Sequence, residues 1–135
     1  MRTLLASTKA FADPTRIRVI MALREHELCV CELCDALEVV QSTLSTHLQY
    51  LRQTGLVQTR NDGKWVYYAL TREFARVVKA LFKLHQEELE SDPQLQRDAR
   101  LLDKRLALRD DDGCCVGFTP APAARPKTRR TVTAR

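Results

Sequence analysis

Apolar residues along the first hundred positions mostly recur at helical spacing, with one stretch where they alternate as in strands. Leu4–Ala12 predicts a short helix carrying Leu4, Leu5, Ala6 and Phe11. Asp13-Pro14 supplies an N-cap followed by proline at the first helical position, so a second helix runs to about Arg24. Ile17, Ile20 and Met21 face inward there, with Leu23 on their flank. His26–Leu28 reads as a link, Val30–Leu37 as a helix with Leu33 and Leu37 inward, and Glu38–Val40 as a turn. Gln41–Thr54 is helical, with Leu44, Leu48 and Leu51 at i, i+4 and i+7 and Gly55 as the C-terminal stop.

Leu56–Arg60 and Lys64–Leu70 are rich in Val, Tyr and Trp and read as strands joined by an Asn61-Asp62-Gly63 turn. Tyr67 and Tyr68 alternate there, which turns at least one into the core. Thr71 caps a long helix expected over Arg72–Glu90. Its stripe of Phe74, Val77, Val78, Leu81, Phe82 and Leu84 is wide for so small a domain, and is expected to pack on the first helix and on a second subunit. Asp92-Pro93 breaks that helix and starts another, to about Leu108. The expected fold is mainly α with a small β-hairpin: a winged helix-turn-helix, dimeric through its terminal helices. Three regions are expected: a winged helix-turn-helix domain over 1–90, a helical extension over 91–112, and a basic tail over 113–135 whose Pro, Ala, Thr and Arg content predicts disorder.

Charge sharpens the picture. The chain of 135 residues carries a net +5. Met1–His85 has 12 basic and 8 acidic residues, whereas Gln86–Asp112 has 5 basic and 9 acidic. A basic N-terminal two-thirds suits a polyanion partner. On the expected helix at Gln41–Thr54 the leucines take one face, leaving Gln41, Ser42, Thr43, Ser45, Thr46 and His47 exposed near its N-terminus. Short polar side chains there can meet base edges or phosphates in a major groove. Arg52, Arg60 and Lys64 can neutralise phosphates. The bland reading of the same residues is helix capping by Ser and Thr and a solvated His47. No apolar run is long enough to span a membrane, no leader is evident at Met1–Ala12, and five cysteines, an odd number, argue against a secreted disulfide framework. A cytoplasmic protein is expected, without a catalytic cofactor, since no acid–base constellation or cofactor loop is present.

The candidate chemistry sits in Glu27–Asp35, where Cys29, Cys31 and Cys34 fall within six residues. On a continuous helix Cys31 and Cys34 lie about 60° apart, but Cys29 lies about 160° from Cys31. One ion taking all three thiolates would then require the turn holding Cys29 to unwind. Structural zinc prefers four closed ligands. A Cys31–Cys34 redox pair lacks the βαβ setting that makes such a motif persuasive. Three thiolates suit a soft three-coordinate ion, and trivalent arsenic or antimony fits best.

The run Glu27-Leu28-Cys29-Val30-Cys31-Glu32-Leu33-Cys34 resembles the arsenic-site signature of the ArsR/SmtB family of metal-responsive repressors. Ser42–Leu48, Gly63–Tyr68 and Asp13-Pro14-Thr15-Arg16 resemble its recognition helix, wing and second-helix opening, so the likeness spans roughly Ala6–Leu89. The resemblance implies a homodimer on double-stranded operator DNA, released by As(III) or Sb(III). It makes Cys29 and Cys31 the principal ligands and Cys34 the third. Some members use Asp, His and Glu on the last helix instead; here only His85, Glu87 and Glu88 are available, and no such site is expected. Cys114-Cys115 lies beyond the matched region; either an auxiliary arsenic-binding role or a plain thiol pair in the tail fits it.

Overall fold

A computed structural model describes residues 1–109 of the chain. The elements are α1 (Arg2–Phe11), α2 (Pro14–Leu23), β1 (Leu28–Cys29), α3 (Val30–Leu37), α4 (Gln41–Gln53), β2 (Val57–Asp62), β3 (Trp65–Leu70), α5 (Arg72–Leu84), α6 (Gln86–Ser91) and α7 (Pro93–Leu106). Two of the helices start on Asp-Pro. The Asp13 carboxylate accepts from the Arg16 N–H at 3.0 Å, and that of Asp92 accepts from the Leu95 N–H at 2.9 Å. Each carboxylate thereby satisfies one of the helix's open donors, and proline at N1 gives up an N–H that had no partner anyway.

The core is one cluster. Val19 and Ile20 of α2, Leu33 and Leu37 of α3, and Leu44, Leu48 and Leu51 of α4 are essentially inaccessible, with Leu28, Leu56, Phe74 and Val78 around them. Helical spacing predicts most of this, but Val19 takes the deep position and Ile17 and Met21 are half-buried. The turn between α3 and α4 closes on Glu38, whose φ of 52° is left-handed.

Four features depart from the sequence reading. Leu28, read as the end of a link, forms a strand with Cys29: they pair antiparallel with Tyr68 and Tyr67, making a three-stranded sheet in the order β1-β3-β2. Two residues carry no periodicity, so only the β3 edge beside them makes them a strand. In the hairpin, Asn61 and Asp62 belong to β2, and Asp62 pairs with Trp65, so the loop is Gly63-Lys64 with Gly63 at φ 57°. The long helix breaks at His85 into α5 and α6. Thr71 stands at the N-cap of α5 but makes no capping bond; its hydroxyl instead donates to the carbonyls of Gly55 and Leu56, both at 3.2 Å.

Helix α7 lies against α2 and α3 rather than projecting away. Arg18 of α2 meets Asp98 with both nitrogens, Nε at 2.7 Å and a terminal nitrogen at 2.8 Å, and also donates to the Leu37 carbonyl. The Asp98 bond holds the Arg18 guanidinium above its usual pKa. Arg97 meets both oxygens of Glu38 at 3.0 Å. The buried Arg105 lies 3.2 Å from Asp35. Pairs some 60 to 80 residues apart along the chain are a tertiary fact with no local signal.

Candidate functional site

Cys29 occupies the N-cap of α3 with extended backbone, φ −84° and ψ 167°. Its sulfur accepts from the backbone N–H at N3, and the N3 side chain, Glu32, accepts in return from the Cys29 N–H at 3.1 Å. This is a capping box with cysteine in the place of serine or threonine. An N-cap residue is not helical, so its side chain escapes the 100° periodicity. The two sulfurs that a continuous helix would place on opposite sides are in direct contact, Sγ to Sγ 2.7 Å. The unwinding expected for Cys29 is therefore unnecessary: the chain is already extended there, with α3 intact behind it.

The sulfur pair is buried beneath the wing, packed by Trp65 and Tyr67 of β3. Beside it lies a hollow of about 200 Å³ lined by Cys29, Cys31, Cys34, Gln41, Trp65 and Val66. Cys34 is half-buried, and burial, aided by the Asp35 charge, raises its thiol pKa above the ordinary value. It borders the hollow without joining the pair; among the described residues no three His, Cys, Asp or Glu side chains form a ready metal cluster. Two touching sulfurs with a third on the same wall fit a thiophilic ligand better than a hard cation, which would need oxygen donors. Cys114 and Cys115 lie outside the described residues.

Glu32 is fully buried, and Arg109 neutralises it. Arg109 Nε donates to one carboxylate oxygen at 2.6 Å, and a terminal nitrogen donates to the other at 2.9 Å and to the Glu27 carbonyl at 2.6 Å. The bond to Glu32 raises the Arg109 pKa. The sequence reading assigned Arg109 no role, and without the fold no signal marks it.

The polar face of α4 is open. Gln41, Ser42, Thr43, Ser45 and Thr46 are all exposed. Val40 stands at the N-cap of α4 and gives no side-chain cap; helix N-termini of this kind can accept a phosphate. Thr46 spends its hydroxyl on the Ser42 carbonyl at 3.0 Å. His47 is not solvated: it is half-buried and turns towards Asp13, Nε2 to Oδ1 3.9 Å. Arg52 and Lys64 are exposed. Arg60 is exposed too, but pairs with Glu27 at 2.9 Å and lies over the Tyr67 ring, 4.9 Å from its centroid. His85 and Glu88 form only an exposed pair at 3.5 Å.

Residues 13–59 match the family model described as bacterial regulatory protein, arsR family. The chain is 47% identical over 76 residues to the arsenic resistance transcriptional regulator ArsR1 of Pseudomonas putida, covering 56% of this chain and 59% of that one. It is 39% identical over 88 residues to the arsenical resistance operon repressor of Escherichia coli, covering 62% and 75% respectively. Among solved structures, a homodimeric winged helix-turn-helix DNA-binding domain from Mycobacterium bovis matches with a TM-score of 0.59 at 27% identity, over 67% of this chain and 85% of that one. Among the described residues no helix is long and apolar enough to cross a membrane.

Proposed function

The chain belongs to the ArsR family of winged helix-turn-helix DNA-binding regulators, which are not enzymes, and from that premise we propose a homodimeric repressor that leaves its operator when arsenite or antimonite occupies Cys29, Cys31 and Cys34. The observation that carries this reading is the contact of the Cys29 and Cys31 sulfurs at the head of α3, on a hollow shared with Cys34, Gln41 and Trp65. A soft trivalent ion supplies strong bonds to thiolate sulfur. The protein supplies a sulfur held at a helix N-terminus, where negative charge is favoured. Gln41 opens the helix whose polar face meets the major groove, and Trp65 opens the wing strand. A ligand bound in the hollow therefore adjoins both DNA-reading elements.

Gln41, Ser42, Thr43, Ser45 and Thr46 are assigned to base edges and phosphates, with His47 as a flanking contact and Arg52, Arg60 and Lys64 to the backbone. The second copy would pair through α1 and α5, where Leu4, Leu5, Val77 and Leu84 are exposed. Two heads so joined suit a palindromic operator with half-sites about one helical turn apart. Such a regulator works in the cytoplasm, where thiols stay reduced.

The test is operator binding by fluorescence anisotropy while arsenite is added. Wild type should dissociate, and Cys31→Ser should bind the operator normally and stay bound. A Cys31→Ser protein that releases at the wild-type dose refutes the site. The same sulfur contact favours a second reading, thiol oxidation: peroxide would take the two hydrogens of Cys29 and Cys31, leave as water and join the sulfurs. Release by peroxide and not by arsenite would select it.

A further inference from the structure

We infer that Arg109, just beyond α7, is a positioning residue for the sulfur pair, so that the C-terminal helix sets how tightly the site takes its ligand; this rests on the metalloid reading above. Arg109 touches neither sulfur. It holds Glu32 with two bonds, and one of the same carboxylate oxygens accepts the Cys29 N–H. Its third bond, to the Glu27 carbonyl, fixes the chain two residues before Cys29. Its guanidinium also lies 5.8 Å from the centroid of Tyr67, which pairs with Cys29 in the sheet and packs on the sulfurs. One side chain thus touches three neighbours of Cys29: its capping partner Glu32, the Glu27 carbonyl and its strand partner Tyr67.

Glu32 has no exposed surface, and a buried carboxylate needs both a counter-charge and hydrogen bonds. Arg109 supplies the charge. Without it, Glu32 must either stay buried against one backbone N–H or turn out to water and abandon that N–H. Either course loosens the capping box and with it the position of the Cys29 sulfur. The ligand must then restore the order that Arg109 otherwise maintains. Residues that orient the ligands of a metal site commonly alter its affinity 10- to 100-fold. A surface contact of α7 at the far end of α3, Arg97 on Glu38, is a full helix away from the sulfurs and serves as the comparison.

The experiment uses the full chain and the emission of Trp65, the single tryptophan, which packs on the sulfur pair. Wild type, Arg109→Ala, Arg109→Lys and Arg97→Ala are titrated with arsenite, and operator affinity is measured without it. Arg109→Ala should raise the arsenite midpoint about tenfold, with operator affinity within about twofold of wild type. Arg109→Lys should recover part of the loss by restoring one charged donor, and Arg97→Ala should leave the midpoint unchanged. An unshifted Arg109→Ala midpoint overturns the inference, as does an equal shift in Arg97→Ala, which would mean that docking of α7 in general is responsible. A wild-type protein that ignores arsenite in both emission and operator release overturns the metalloid reading itself, and the inference with it.

Discussion

Replacing Asp98 by alanine tests whether α7 is a structural part of the domain formed by α2, α3 and α4. The perturbation removes both bonds to Arg18, at 2.7 and 2.8 Å, and one from Gln94 at 2.9 Å. Breaking a fully buried ion pair by removing one partner typically costs about 3–5 kcal/mol, because a charge is left without compensation. Here the Arg18 side chain keeps 19% of its surface in water and retains its bond to the Leu37 carbonyl, whereas Asp98 keeps 8%. The stranded guanidinium is therefore not stripped of partners, and the expected loss is roughly 2–3 kcal/mol. For a chain of this size that is a fall in melting temperature of roughly 10 °C. Urea unfolding at fixed protein concentration, followed by far-UV circular dichroism, measures it; the concentration matters because a dimer's stability depends on it. Arg18→Ala and the double variant complete a cycle that isolates the pair. A coupling below about 0.5 kcal/mol would refute the reasoning, since exposed pairs reach that value without any docking of α7.

Cys34→Ser should raise the arsenite dose for operator release less than Cys31→Ser does, because Cys34 borders the hollow outside the sulfur pair and burial raises its thiol pKa; equal losses would show Cys34 to be a full partner. Arg52→Ala and Lys64→Ala should each reduce the slope of log affinity against log salt by about one, since each leaves one DNA phosphate without its protein cation. Arg60→Ala should change it less, because Glu27 already pairs with Arg60; a full unit there would show that DNA displaces Glu27. The Asp13 carboxyl titrates below its ordinary value, chiefly because it accepts the Arg16 N–H. A depressed carboxyl stabilises the fold above its unfolded pKa of about 4 and loses that contribution as pH falls through the folded value. Asp13→Ala should thus lower stability by about 1 kcal/mol at pH 7 and by progressively less below pH 4; an acid-insensitive difference would assign the effect to something other than the carboxylate.

Much of this protein was legible in its sequence because the signals are local. Asp13-Pro14 and Asp92-Pro93 announce helix starts, the leucines of Gln41–Gln53 announce a buried face, and Gly63 permits the positive φ of a two-residue hairpin loop. The cysteine spacing likewise singles out the stretch in which two sulfurs meet, without any knowledge of the fold. What the periodicity could not report is where a helix stops being a helix. Cys29 lies one residue before α3 and pairs with Tyr67 in a strand two residues long, and that single extended step reverses the side on which its sulfur falls. The docking of α7, the burial of Glu32 and the reach of Arg109 across 77 residues were decided by tertiary packing alone. A buried carboxylate must find its cation wherever the fold brings one, and nothing in a residue's neighbours along the chain records where that will be.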